Sequence, residues 1–249
     1  MANDGVEVFL RSFRLPTMAA IWQETVTRAE REDWGYHQLL QHLCQSEDQD
    51  RRERKMNRLL KESGLPAGKT LGTLDEKLLP PKIRRVLPTL LEGHFVDQAE
   101  NVIAIGLPGR GKTHLLAGIG RELILRHRIP VLFVPPFKLV QDLLAATKAL
   151  RLESELRRLD RFPVVILDEF GCVQQEREEM EVVFTFLAER YERRSVLIST
   201  NLVFSKWDQI FKDPMTTMAA VDRLVHHAQI LEFTGESIRN LKAHERKTP

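Results

Sequence analysis

Apolar residues recur along the chain in two rhythms. Met18, Ile21, Trp22, Val26 and Ala29 fall at helical spacing behind Pro16, which suits a helix start. After Trp34-Gly35 a second helix carries Leu39, Leu40 and Leu43, then turns polar before Met56, Leu59 and Leu60. The pattern predicts a small helical N-terminal unit. Over residues 63–75 the composition shifts to Gly, Pro and Thr, which predicts a linker and a division into domains 1–68 and 69–249. A short helix over 83–93 follows. Five apolar runs of strand length come next: 102–105, 131–134, 164–167, 195–200 and 229–233. Helical stripes separate them. They are Leu115, Leu116, Ile119 and Leu123; Leu139, Leu143 and Leu144; Leu152, Leu156 and Leu159; Met180, Val183, Phe184, Leu187 and Tyr191; and Met218, Val221 and Val225. Strand alternating with helix predicts an α/β fold, a five-stranded parallel sheet sandwiched by helices. The two helical patterns between 137 and 160 are one more than a simple crossover needs.

Composition narrows this picture without deciding it. With 249 residues, 43% of them hydrophobic, the chain can bury a real core, and disorder throughout is excluded. Lys and Arg total 37 against 35 Asp and Glu, so any nucleic-acid affinity must come from local clusters. Cys44 and Cys172 lie far apart, which excludes a disulfide framework and a C-x-x-C zinc site and fits a reducing cytoplasm. The first residues lack a basic region followed by an apolar run, and no stretch approaches the ~20 apolar residues of a membrane span.

The candidate chemistry begins at Gly106-Leu107-Pro108-Gly109-Arg110-Gly111-Lys112-Thr113, which lies between a strand and a helix. Its glycines let backbone N–H groups converge on phosphate oxygens, and the helix N-terminus that continues through His114 adds its positive end. The natural ligand is a triphosphate, with Lys112 on the β- and γ-phosphates and the Thr113 hydroxyl on Mg²⁺. Gly64-Leu65-Pro66-Ala67-Gly68-Lys69-Thr70 also ends in Gly-Lys-Thr. Only three residues separate its glycines and no strand precedes it, so it reads as part of the linker. The run 164–167 ends in Asp168-Glu169, which puts two carboxylates at the C-terminal edge of the sheet beside the phosphate loop. Asp168 would hold the Mg²⁺ hydration shell, and Glu169 is placed to take a proton from an attacking water. Asn201 ends the next strand, where an uncharged amide orients water without competing for its proton, or simply makes a turn.

Charge patterns leave alternatives open. Arg51, Arg54, Lys55, Arg58 and Lys61 fall largely on one helix face, which suits either phosphates or a solvated face with Asp48, Asp50 and Glu53 as partners. The helix pair after 137 carries Lys138, Lys148, Arg151, Arg157, Arg158 and Arg161, fit for nucleic-acid backbone or for an ordinary charged surface. Arg223 sits opposite the stripe of its helix, as a solvated residue does, or as a finger inserted into a neighbour's nucleotide site.

The phosphate loop, Asp-Glu strand, Asn-ended strand and outward Arg, in this order, resemble the AAA+ ATPases. Within them the chain resembles the IstB-like helper ATPases of insertion sequences, relatives of the DnaC-type helicase loaders. The most telling stretches are 99–102, 106–115, Ile166-Leu167-Asp168-Glu169-Phe170-Gly171 and Asp222-Arg223-Leu224-Val225-His226-His227. The resemblance implies ATP and Mg²⁺ as cofactors, a homo-oligomer with active sites at subunit interfaces, Arg223 as arginine finger and Arg239 as the second sensor arginine. It also implies that the helix pair lines a DNA channel. The chain ends at Pro249, soon after the last strand, so the helical lid of the wider superfamily is expected to be reduced or absent. The function this implies is assembly on duplex DNA with ATP, followed by recruitment or activation of a transposase encoded by the neighbouring reading frame. The alternatives are a replicative helicase loader and a nucleotide-gated DNA-binding scaffold with little turnover.

Overall fold

The structure, a computed structural model, describes residues 4–171, 177–203, 206–207 and 214–234, so Arg239 lies outside the described residues. Two compact units emerge, Met1–Arg58 and Leu59–Pro249. In the first, α1 (Asp4–Ser12) packs on α2 (Pro16–Arg31), which buries Met18, Ala19 and Ala29. The start of α2 has no side-chain cap of its own. Glu47 of α3 (Tyr36–Glu62) supplies one: its buried carboxylate accepts from the N–H of Thr17 at 2.8 Å and of Met18 at 3.1 Å. An anion at this position satisfies two orphan donors and complements the helix dipole.

The second unit holds the sheet. Strands β1 (Asn101–Gly106), β2 (Val131–Val134), β3 (Val164–Phe170), β4 (Ser195–Thr200) and β5 (Ala228–Phe233) are all parallel, in the order β2-β3-β4-β1-β5. Successive residues of a strand face opposite sides, and both sides are apolar here. Ile103, Ile105, Val165, Leu167, Val196 and Ile198 join the core formed with α7 (Pro136–Lys148), α8 (Leu152–Asp160), α9 (Arg177–Arg190) and α10 (Pro214–Val225). On the other side lies α6 (Lys112–His127), preceded in the chain by α4 (Pro81–Leu91) and the single turn α5 (His94–Asp97). Arg190, 3% exposed, donates to the carbonyls of Phe162 at 2.9 Å, Pro163 at 3.0 Å and Ser195 at 3.0 Å. It thereby ties the starts of β3 and β4 to the end of α9. Burial pushes its pKa down to about 9 against the opposing pull of Asp160, which leaves it charged at neutral pH.

The segment expected to be a linker is built into this unit. Ser63 accepts a hydrogen bond from Phe133 N–H of β2 at 2.7 Å, and the next residues run along α6. The physical reason is a notch. A Cβ on Gly118 would come within 2.6 Å of Leu71 Cδ2, and one on Gly120 within 2.7 Å of Ile166 Cδ1 and 3.4 Å of Leu65 Cδ2. Thr70 and Thr73 then bond each other's backbone N–H reciprocally around a short 3₁₀ turn, Leu71–Thr73. Two helix-interior glycines cost about 1 kcal/mol each against alanine, and here they make room for a strap of chain.

A candidate nucleotide site

The phosphate loop runs from the end of β1 into α6. Gly106 cannot be replaced without a shift, because a Cβ there would sit 2.5 Å from the Phe233 carbonyl oxygen on neighbouring β5. Gly109 and Gly111 hold φ of 81° and 89°, a region that side chains rarely enter. Lys112, 7% exposed, turns its ammonium back into the loop, donating to Gly106 O at 2.6 Å, Leu107 O at 2.9 Å and Asn201 Oδ1 at 2.7 Å. Residues from the ends of β1 and β4 thus meet on one cation. Arg110 donates to Phe233 O at 2.7 Å, fastening the loop to β5.

The acidic pair stands beside it on an irregularity of β3. Between Leu167 and Phe170 the register against β4 shifts, and Glu169 adopts φ 62°, unusual for a residue with a side chain. Ser199, fully buried on β4, holds the bend from both sides: its hydroxyl donates to Asp168 Oδ1 at 2.6 Å and accepts from Glu169 N–H at 2.8 Å. Asp168 is half-buried and Glu169 is exposed. Strained backbone of this kind persists where the surroundings over-determine it. Ser199 was not singled out in the sequence because serine inside an apolar strand carries no pattern.

These elements enclose a cleft of about 230 Å³. Its wall includes Pro108 through His114, Glu169, Ser199 and Asn201, and on the opposite side Lys69, Thr73, Leu74 and Asp75 of the strap. His114 clamps that strap. Its Nε2 lies 2.8 Å from Thr70 O, which can only accept, and 3.0 Å from Thr73 Oγ1, so Nε2 carries the proton. The second Gly-Lys-Thr therefore contributes Lys69 to the same cleft as the first, although its loop lacks the phosphate-binding spacing. The signal for it was the pair of glycines in α6, which needed a packing reason.

Arg223 is not among the residues lining its own subunit's cleft. Nor does it point into solvent as the helical wheel predicts. The guanidinium lies 4.5 Å from the Phe184 ring of α9, and its buried Nη1 has no hydrogen-bond partner among the described residues. The wheel erred because Leu224 rather than Met218 anchors α10: Leu224 is 2% exposed, Met218 74%. Asn101 fixes the end of this helix from below, donating from Nδ2 to Leu224 O at 3.0 Å and from its backbone N–H to His227 O at 2.7 Å.

The basic clusters fare differently. Arg54 bonds the Glu47 carboxylate at 3.1 Å, and Arg51 donates to Arg14 O at 3.1 Å and lies 3.5 Å from the same carboxylate. Both therefore support the cap on α2. Lys55 and Arg58 line a groove with Arg11, Arg14 and Pro16. On the helix pair, Arg157 donates to Glu153 at 2.6 Å and Arg158 forms a forked pair with Glu155, so their charge is largely answered locally. Lys138, Lys148 and Arg151 are exposed. Lys148 and Arg151 flank Leu150, which forms the tip of the pair at φ 54° and is 95% exposed.

A parallel sheet in this order, with a phosphate loop after β1, carboxylates at 168 and 169 near the end of β3 and an amide after β4, defines a P-loop protein of the AAA+ class. The chain belongs to the family of IstB-like ATP binding proteins, whose model matches residues 8–247. It is 38% identical over 241 residues to a protein of Sinorhizobium fredii named as the ATP-binding protein of an insertion sequence, an alignment covering 96% of this chain and 80% of that relative. Among solved structures it resembles the DnaC helicase loader, with a TM-score of 0.57 at 19% identity over 68% of this chain and 98% of the other. The replication initiator DnaA bound to AMPPCP and single-stranded DNA gives 0.58 at 16% identity, over 74% and 56%. At such identities these two share the fold. Among the described residues no helix is long and apolar enough to cross a membrane.

Proposed function

We propose that the protein is a Mg²⁺-dependent ATPase that assembles on duplex DNA in its ATP-bound form and there recruits or activates a transposase. The observation that carries this reading is the meeting of Lys112, Asn201, Ser199 and Glu169 around one cleft, with Asp168 bonded to the Ser199 that lines it. Lys112 holds an ammonium that three uncharged oxygens already solvate, so phosphate oxygens can take over without desolvating it afresh. Backbone N–H groups of residues 109–113 receive the remaining phosphate charge. Thr113 and Asp168 would hold Mg²⁺, which neutralises charge on the transferred phosphoryl group. Glu169, exposed at the cleft wall, is free to take the proton of a water that Asn201 orients. Arg223 would reach the cleft of an adjacent copy, where its unused N–H donors meet the charge that develops on bond cleavage. The helical N-terminal unit and the unit that holds the sheet would divide the labour, the first gripping DNA or partner and the second turning over ATP.

DNA contact is assigned first to the tip of the helix pair. An apolar side chain between two cations suits a groove flanked by phosphates. Replacing Lys148 and Arg151 together by Glu is expected to weaken duplex binding and lower the log–log salt slope by about 2, with ATP affinity unchanged. Replacing Arg157 and Arg158 by Ala should change that slope little, since Glu153 and Glu155 already answer them. An unchanged slope in the Lys148 and Arg151 variant would remove the tip from the DNA interface.

The helicase-loader reading is favoured by the likeness to DnaC. Pull-down by the ATP-bound protein separates the two: retention of the neighbouring transposase supports the first reading, and retention of the replicative helicase alone supports the second.

A further inference from the structure

Away from the nucleotide cleft, the turn after α9 and the end of α10 bring Glu192, His226 and His227 together. One carboxylate oxygen and one nitrogen from each ring lie within 4.8 Å of one another, and all three residues are exposed. His227 Nε2 stands 3.6 Å from Glu192 Oε1. Two donors at about 2.0–2.1 Å from a tetrahedral ion are ~3.4 Å apart, so this pair already has nearly the spacing of chelation. The two imidazoles are neighbours, their centroids 4.3 Å apart and their planes at 67°.

The backbone under the cluster is fixed by contacts that do not involve these side chains. His227 O accepts from Asn101 N–H at 2.7 Å, and His226 N–H donates to Asp222 O at 2.9 Å. Glu192 sits in the left-handed region at φ 56°, in the turn closed by Arg193 N–H to Arg190 O at 3.0 Å. The Tyr191 hydroxyl lies 3.2 Å from His226 Nδ1, the kind of partner that sets the orientation of a ligating histidine and leaves its other nitrogen to an ion.

We propose that Glu192, His226 and His227 form a binding site for a divalent transition-metal ion, Zn²⁺ being the best match, with water completing the coordination. Two imidazoles and one carboxylate suit zinc, cobalt, nickel or copper, whereas magnesium and calcium take oxygen donors. The site is thus chemically separate from the Mg²⁺ position at Thr113 and Asp168. An ion there ties the α9–β4 turn to the end of α10, the helix on which Arg223 stacks against Phe184 of α9. Its occupancy sets how firmly that arginine's helix is held.

Zn²⁺ titration of the chelator-treated full-length protein by calorimetry tests the proposal, with Co²⁺ as a visible-absorption probe on the same sample. One Zn²⁺ per chain is expected, at least about tenfold weaker in each of Glu192→Gln, His226→Asn and His227→Asn. A large excess of Mg²⁺ should not compete. Zn²⁺ should raise the Tm of the wild type and leave that of His227→Asn unmoved. Saturable binding that survives all three substitutions, or the absence of tetrahedral Co²⁺ bands in the unmodified protein, overturns the assignment. The Co²⁺ spectrum needs no variant and so decides the matter even where a substitution impairs folding.

Discussion

Arg223→Ala protein is expected to bind ATP normally and to lose its hydrolysis by roughly three to five orders of magnitude, the contribution an arginine finger makes in GTPase systems. The geometry behind this has three parts. Arg223 is not among the residues that line the cleft of its own subunit, so ATP affinity is not expected to depend on it. Its guanidinium rests on Phe184, which holds the side chain without consuming its donors. Its Nη1 is buried with no hydrogen-bond partner among the described residues, a costly arrangement that would be relieved if the side chain swung out to a phosphate oxygen of a neighbouring copy. Mixing Arg223→Ala with Glu169→Gln then discriminates. Interfaces that pair an intact Glu169 with an intact Arg223 should restore activity. If the variants co-assemble and the mixture stays inactive, Arg223 acts within its own subunit or structurally.

The second large effect belongs to Lys112→Ala, which should lose ATP binding by at least about a hundredfold. Each hydrogen bond from a charged group is worth about 1.5–3 kcal/mol, and this ammonium is poised to make more than one to a triphosphate. Its present partners explain why the loss would be specific. Gly106 O, Leu107 O and Asn201 Oδ1 surround the ammonium at 2.6–2.9 Å, so removing it leaves the loop and the end of β4 without their common cation while the hydrophobic core is untouched. Calorimetry with ATP, alongside thermal unfolding as a folding control, checks this. Equal ATP affinity in the variant and the wild type would dissolve the site assignment.

The inner strands β1, β3 and β4 were readable because they are buried on both faces and print as apolar runs, whereas the half-exposed edge strand β5 keeps Gln229 and Glu232 among its apolar residues. The phosphate loop was readable because glycine spacing between a strand and a helix has few other uses. What escaped was whatever depends on packing between distant segments. The strap over α6 looked like a linker because Gly, Pro and Thr also make linkers, and only the notch at Gly118 and Gly120 shows that it is docked. Ser199 gave no sign because its role lies in reaching across to β3. The direction of Arg223 was misjudged because a helical wheel assumes that the apolar residues define the buried face, whereas Met218 is exposed and Leu224 anchors the helix. Arg157 and Arg158 looked available for DNA because sequence shows charge without showing its partner. On α3 the same blindness hid the use of Arg51 and Arg54 around Glu47.

The claim that most of this rests on is that the cleft hydrolyses ATP and does not merely hold it. Phosphate release under single-turnover conditions, with Mg²⁺ and duplex DNA, measures that directly in the wild type and in Glu169→Gln. The account predicts release from the wild type, and from Glu169→Gln equal ATP affinity with release slowed by at least about a hundredfold, the scale of a lost general base. ATP bound by the wild type without any release of phosphate, with or without DNA, would contradict it and leave a nucleotide-gated scaffold in its place.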